Sequence, residues 1–242
     1  MESILNTVLF AVIQFFVNII QAITGFAGAP IAMPPSIYLV GASDAKAAIT
    51  FLLWLSSLTV AVRNFRDINF KKLGIMLGCM IPGVVLGLWL FSNSDLKILM
   101  LIYGIVVVLI GLRRLFFPPK KDLPKPLQYV ALILAGLMQG MFTSGGPFLA
   151  LYSTAAIKDK RQFRATVSSV WSTINIYMII TMFNKNMYRE YNLKLIAFSV
   201  IPLFLAVFIG NRMNKKMKQE VFLKLVYILL IISGSLLIFN CF

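Results

Sequence analysis

Residues 21–35, QAITGFAGAPIAMPP, are echoed half a chain later by residues 139–152, QGMFTSGGPFLALY. Each copy sets Gly and Pro inside sequence otherwise apolar enough for a membrane helix, so each predicts a broken helix. In a bilayer the backbone groups freed at such a break must be buried in protein or line a watery cavity. Broken helices at matching places in two halves of a chain point to a transport site.

The surroundings support a membrane setting. Of 242 residues, 60% are apolar, and the charges gather in short clusters between apolar runs. This is the signature of a polytopic membrane protein, with no room for a large soluble domain. Residues 1–6 carry no basic residue, so the first apolar stretch is expected to stay in the mature protein. Cys79 lies within an apolar run and Cys241 near the C-terminus, which argues against a disulfide framework, and the absence of His removes the commonest transition-metal ligand. The formal charge of +15 resides in loops rather than on one face of a soluble domain. It reads as a topology signal and a contact to anionic lipid, not as a nucleic-acid surface.

Apolar runs fall near residues 4–23, 30–40, 45–62, 73–91, 98–116, 127–142, 147–157, 165–183, 195–211 and 221–240. All but two approach the length of a bilayer crossing; the short runs 30–40 and 147–157 are the pieces that follow the breaks. If each motif lay within one crossing, eight crossings would divide the loop Lys and Arg twelve against ten, which sets no orientation. If the chain reverses at each motif, loops 63–72, 113–125, 158–164 and 212–218 share a side and carry seventeen basic residues. The other side then holds five: Lys46, Lys97, Lys185, Arg189 and Lys194. The second arrangement satisfies the positive-inside rule and puts both termini outside the cytoplasm.

The expected fold is therefore all-α: a polytopic membrane protein of two inverted repeats, each of five helical segments and each beginning with a broken-helix hairpin. The first repeat covers residues 1–117, a cytoplasmic linker 118–126, and the second repeat 127–242. An odd number of segments per half requires the inversion. Pro30 and Pro147, Ala48 and Ala165, and Trp54 and Trp171 are each separated by 117 residues, and Pro82 and Pro202 by 120.

The motif also suggests a chemistry. Gly25, Gly28, Gly145 and Gly146 permit tight turns and close backbone approach. Pro30 and Pro147 suit the first turn of the following helix, where a missing amide proton costs little. A helix N-terminus offers free N–H groups and the positive end of the dipole, so two of them meeting near the midplane can embrace a small anion. Gln21, Thr24, Gln139, Thr143 and Ser144 add neutral donors. Ser56, Ser57 and Thr59 on the next helix, and Ser168, Ser169, Ser172, Thr173 and Asn175 in the second half, extend that set, Ser57 and Asn175 being the favoured candidates. Small polar residues also glue membrane helices together, and a kinked helix pair without a ligand is the plain alternative.

All eight acids lie in loops or near segment ends, so no buried carboxylate offers a proton relay. Arg63 and Lys224 are the basic residues nearest apolar runs and are expected to snorkel to the interface. No His-based dyad, metal cluster, P-loop or nucleophile elbow is present, so neither catalytic residues, nor a metal, nor a cofactor are expected. The expected partners are a small anionic substrate and membrane lipids; a homo-oligomer is left open.

At Gly25-Phe26-Ala27-Gly28-Ala29-Pro30 and Ser144-Gly145-Gly146-Pro147 the chain resembles the TauE/SafE family, the sulfite exporters, over essentially its whole length. Ala27 and Ala29 stand where many relatives carry Gly. The resemblance implies movement of sulfite, an organosulfonate or another small sulfur-containing anion across the bacterial inner membrane, commonly as export. The eight-crossing count usual for the family differs from the arrangement that loop charge favours.

Overall fold

The computed structural model describes residues 2–91, 96–117 and 124–239, and every regular element within them is helical. The first half contains α1 (Glu2–Thr24), α2 (Gly28–Val40), α3 (Ala42–Arg63), a 3-10 turn (Phe65–Asp67), α4 (Phe70–Phe91) and α5 (Leu96–Phe116). The second contains α6 (Lys125–Phe142), α7 (Gly146–Ala156), α8 (Lys160–Asn184), α9 (Glu190–Lys216) and α10 (Gln219–Phe239). Among the described residues, five helical stretches are long and apolar enough to cross a membrane: Ile4–Thr24, Ser43–Arg63, Phe70–Leu90, Lys160–Asn184 and Glu190–Lys216. The linker expected over 118–126 lies largely outside the described residues, though α6 already begins at Lys125 within it.

The chain reverses at both motifs. Asn6, near the start of α1, donates to the Leu39 carbonyl near the end of α2 at 3.0 Å, while Gln21 meets Gly28 at the other end, so α1 and α2 are antiparallel. The Tyr129 ring of early α6 lies 6.5 Å from that of Tyr152 in α7, while Gln139 meets Gly145, so α6 and α7 reverse in the same way.

The helix pairs repeat themselves. If each helix is replaced by the one five places along, α1 against α2 becomes α6 against α7, α1 against α9 becomes α6 against α4, and α3 against α9 becomes α8 against α4. The α3–α8 and α5–α10 pairs map onto themselves. Both are antiparallel. The Tyr188 hydroxyl, beyond the end of α8, donates to the Ala47 carbonyl at the start of α3 at 3.3 Å, while Asn69, after α3, bonds Gln162 and Thr166 at the start of α8. Burial pushes the Tyr188 phenol well above its usual range, so it stays a donor. Gly104 packs on Gly234, and Gly111 on Tyr227 and Ile231, which fixes α5 and α10 in opposite directions.

Two apolar clusters form the core. One joins α6, α7 and α8 to α4 and α10; the other joins α1, α2 and α3 to α9. The fourth helix of each half thus packs in the other half's cluster. Between α4 and α6 the backbones touch: a Cβ on Gly136 would strike the Met80 carbonyl, and one on Gly140 the Val84 carbonyl. Membrane helices gain dispersion contacts from such small-residue faces, because lipid supplies no hydrophobic force between them.

Candidate functional site: the meeting of two hairpin tips

Each tip is built on the same plan, although the glutamine closes on a residue seven places on in the first and six in the second. Helix α1 ends on Gly25 at φ 87°, whose N–H donates to the Gln21 carbonyl at 2.7 Å; α6 ends on Thr143 at φ 55°, whose N–H donates to the Gln139 carbonyl at 2.9 Å. This is a left-handed C-cap, which Gly25 adopts freely and the β-branched Thr143 adopts under strain. The glutamine side chain then spans the break. Gln21 Oε1 accepts from the Gly28 N–H at 2.9 Å and Gln139 Oε1 from the Gly145 N–H at 3.1 Å. Gln21 Nε2 donates to the Gly25 carbonyl and to Ser57 Oγ, both at 3.2 Å, and Gln139 Nε2 to Asn175 Oδ1 at 2.9 Å. In both halves the partner on the next helix lies 36 residues beyond the glutamine. The register between α3 and α8 is therefore 118, from Ser57 to Asn175, and places Leu53 rather than Trp54 opposite Trp171.

The tips touch. A Cβ on Gly146 would lie 2.6 Å from the Phe26 carbonyl oxygen and 3.0 Å from its ring, and one on Gly28 would lie 2.7 Å from the Leu53 side chain. Between them is a cavity of about 10 Å³, lined by Gln21, Phe26, Ala29 and Leu53 from the first half and Gln139, Thr143, Gly146, Trp171 and Asn175 from the second. That is space for about one water.

Of the residues singled out from sequence, Gln21, Gln139, Thr143, Gly146 and Asn175 line this cavity. Ser57, Gly25, Gly28 and Gly145 stand behind it as partners in the clamps, and Pro147 is buried in the first turn of α7. Thr24 Oγ1 donates to the Ile20 carbonyl at 2.8 Å and accepts from the Phe26 and Ala27 N–H groups of the break, both at 3.4 Å, and Ser144 is buried beside Thr143. Pro30 falls in the first turn of α2. Ser169 and Thr173 hydroxyls bond the carbonyl four residues back, as does Thr59. Arg63 and Lys224 are exposed; among the described residues the buried basic ones are Lys46 and Arg164, both counted with the loops in the sequence analysis.

Two lining donors have no protein acceptor: Thr143 Oγ1 and Trp171 Nε1, both buried. Four lining residues are not among the candidates from sequence, Phe26, Ala29, Leu53 and Trp171, and of these Trp171 carries a side-chain donor. Its pairing with Trp54 holds no sign that an indole N–H is left without an acceptor beside a cavity. Ala29 and Gly146 lie in first helical turns, whose amides have no acceptor within the helix. The cavity therefore combines uncharged donors with the apolar walls of Phe26, Leu53 and Trp171. Such a lining suits a group that only accepts hydrogen bonds.

The comparisons with known proteins point to a family of membrane transporters. The family described as Sulfite exporter TauE/SafE matches over residues 10–237. The chain belongs to the TauE/SafE family. As a TauE/SafE protein it is a homologue of membrane transporters, among them the "Probable inner membrane transporter protein TsaS" of Comamonas testosteroni. That relative is 24% identical over 174 residues, 71% of this chain and 73% of the relative. No solved structure matches the TauE/SafE chain.

Proposed function

We propose that this protein is a secondary transporter of the bacterial inner membrane that carries a small anion, a sulfur oxyanion or organosulfonate, by alternating access at the cavity between the hairpin tips. The observation that carries the reading is the pair of buried donors without acceptors among the described residues, Thr143 Oγ1 and Trp171 Nε1, on residues that line one small space between two helix N-termini. An oxyanion accepts from such donors without bringing a proton of its own. Family membership and the name of the Comamonas relative favour the same class of cargo and the same membrane.

The closed state favours a carrier over an open channel. A cavity of about 10 Å³ is too small for sulfite, so loading requires the tips to part. Inverted repeats supply the means, with the cluster of α1, α2, α3 and α9 rocking against that of α4, α6, α7, α8 and α10 about the midplane. The antiparallel α3–α8 and α5–α10 pairs support the inversion, since eight crossings with unbroken motifs would make both pairs parallel. With Lys46 and Arg164 set aside as buried, the loop charges still divide sixteen against four, which favours both termini outside the cytoplasm.

Saturable exchange of sulfite, taurine or sulfoacetate in proteoliposomes, reduced in Trp171→Phe, is the expected result. Unsaturable flux, or full activity in Trp171→Phe, overturns the carrier site. For topology, Asn186→Cys in a background lacking Cys79 and Cys241 should label from outside; labelling only from the cytoplasm refutes the orientation.

A further inference from the structure

Helix α8 carries a polar stripe beyond the cavity. Arg164, Ser168, Trp171 and Asn175 are spaced by four, three and four residues, so they share one helix face, and all four are buried. Trp171 and Asn175 line the cavity. Arg164 lies seven residues earlier, roughly 10 Å along the axis, towards the basic loop 158–164.

The Arg164 side chain is 4% exposed and has no carboxylate partner among the described residues. Its Nη2 donates to Asn211 Oδ1 on α9. Since a guanidinium only donates, that contact fixes the Asn211 amide with its oxygen inward and its Nδ2 turned away. Arg164 Nε and Asn211 Nδ2 are then both buried without an acceptor. The charges that act on Arg164 are mixed: Arg63 and Lys160 repel it and Asp67 attracts it without an ion pair. A buried guanidinium with neither a paired carboxylate nor full hydrogen bonding is destabilising unless something neutralises it. Two orphan donors on linked side chains call for an acceptor that carries negative charge.

We propose that Arg164 and Asn211 form a second binding site for a small oxyanion, on the path between the 158–164 face and the cavity. Binding there stands on the local geometry alone; its role as a way-station rests on the transport reading above. The site is tied to the first hairpin. One turn after Asn211, Asn214 Nδ2 donates to the Ile23 carbonyl at the end of α1 at 2.9 Å, and the Arg164 carbonyl lies 3.5 Å from the Cβ position of Gly25. An anion held by Arg164 thus sits against the elements that fix the first tip.

Asn211→Asp is the decisive variant. It keeps the shape and gives Arg164 an internal carboxylate in place of an external anion. In neutral detergent without added lipid, sulfite and thiosulfate should raise the Tm of the parent protein. Asn211→Asp should have a higher Tm without anion, with sulfite binding at this site weakened about tenfold or more. Arg164→Lys should keep part of this second-site response and Arg164→Gln should leave only the response that Trp171→Phe removes. A sulfite response in Asn211→Asp equal to the parent's overturns the proposal, as does a lower anion-free Tm or a response that needs anionic lipid. If the cavity reading fails instead, Trp171→Phe leaves binding and transport unchanged while Asn211→Asp still weakens sulfite binding about tenfold or more.

Discussion

The two hairpin tips share a scaffold and differ in what they leave open. In the first, both Gln21 Nε2 donations are taken, by the Gly25 carbonyl and Ser57, and Thr24 bonds back into its own helix. In the second, the clamp is the same, but the turn residue is Thr143 where the first has Gly25, and the facing residue is Trp171 where the first has Leu53. Both changes add a donor with no acceptor. The flanking cations differ in the same direction: Lys46 donates to the Met141 carbonyl at 3.4 Å, whereas Arg164 keeps an orphan Nε. The two tips share the glutamine bridges across the break and differ in the donors beside the cavity. A bound anion would accordingly lean on the second half.

The strongest way to break this comparison is steric. Gly146→Val would drive a side chain into the Phe26 backbone and should reduce transport to background, with membrane insertion intact by fractionation. Normal transport would mean that the tips need not meet. The next test removes one donor. Trp171→Phe keeps the ring and should cut sulfite transport by about tenfold or more, from the loss of roughly 1.5–3 kcal/mol for a hydrogen bond to a charged group; Leu53→Phe in the first half should change it far less.

The clamps should respond alike. Gln21→Leu and Gln139→Leu each leave a buried amide without an acceptor, costing about 1–3 kcal/mol of stability, and thermal unfolding should show two similar drops in Tm. A large drop in only one would end the equivalence of the scaffolds. The smallest effect is expected at the left-handed turn. Thr143→Gly relieves about 1 kcal/mol of backbone strain and removes a hydroxyl, so Tm should rise slightly while transport falls; a rise in both would remove Thr143 from the site.

Much of the hairpin geometry could be read in the sequence because Gly and Pro act locally: a left-handed cap at Gly25 and a helix start at Pro147 are properties of a few residues. The roles of the glutamines were not legible. Gln21 and Gln139 were expected to donate to a ligand, yet their Nε2 groups bond partners 36 residues away, a tertiary choice that no spacing within the motif reveals. Lys46 and Arg164 were misread for another reason. Hydropathy ends an apolar run at its first charges, whereas α8 begins at Lys160 and buries Arg164 within its second turn. Trp171 counts as apolar bulk on any such scale, so its N–H goes unrecorded.

The close backbone contact between α4 and α6 bears on leakage. With no side chains to slip between Gly136 and Met80, or between Gly140 and Val84, α6 cannot shift along α4 without breaking the contact. Gly210 of α9 abuts Ala22 and the Ile19 carbonyl of α1 in the corresponding place. Each hairpin is thereby bolted to a helix of the opposite half, so neither tip can withdraw alone and leave an open hole through the protein.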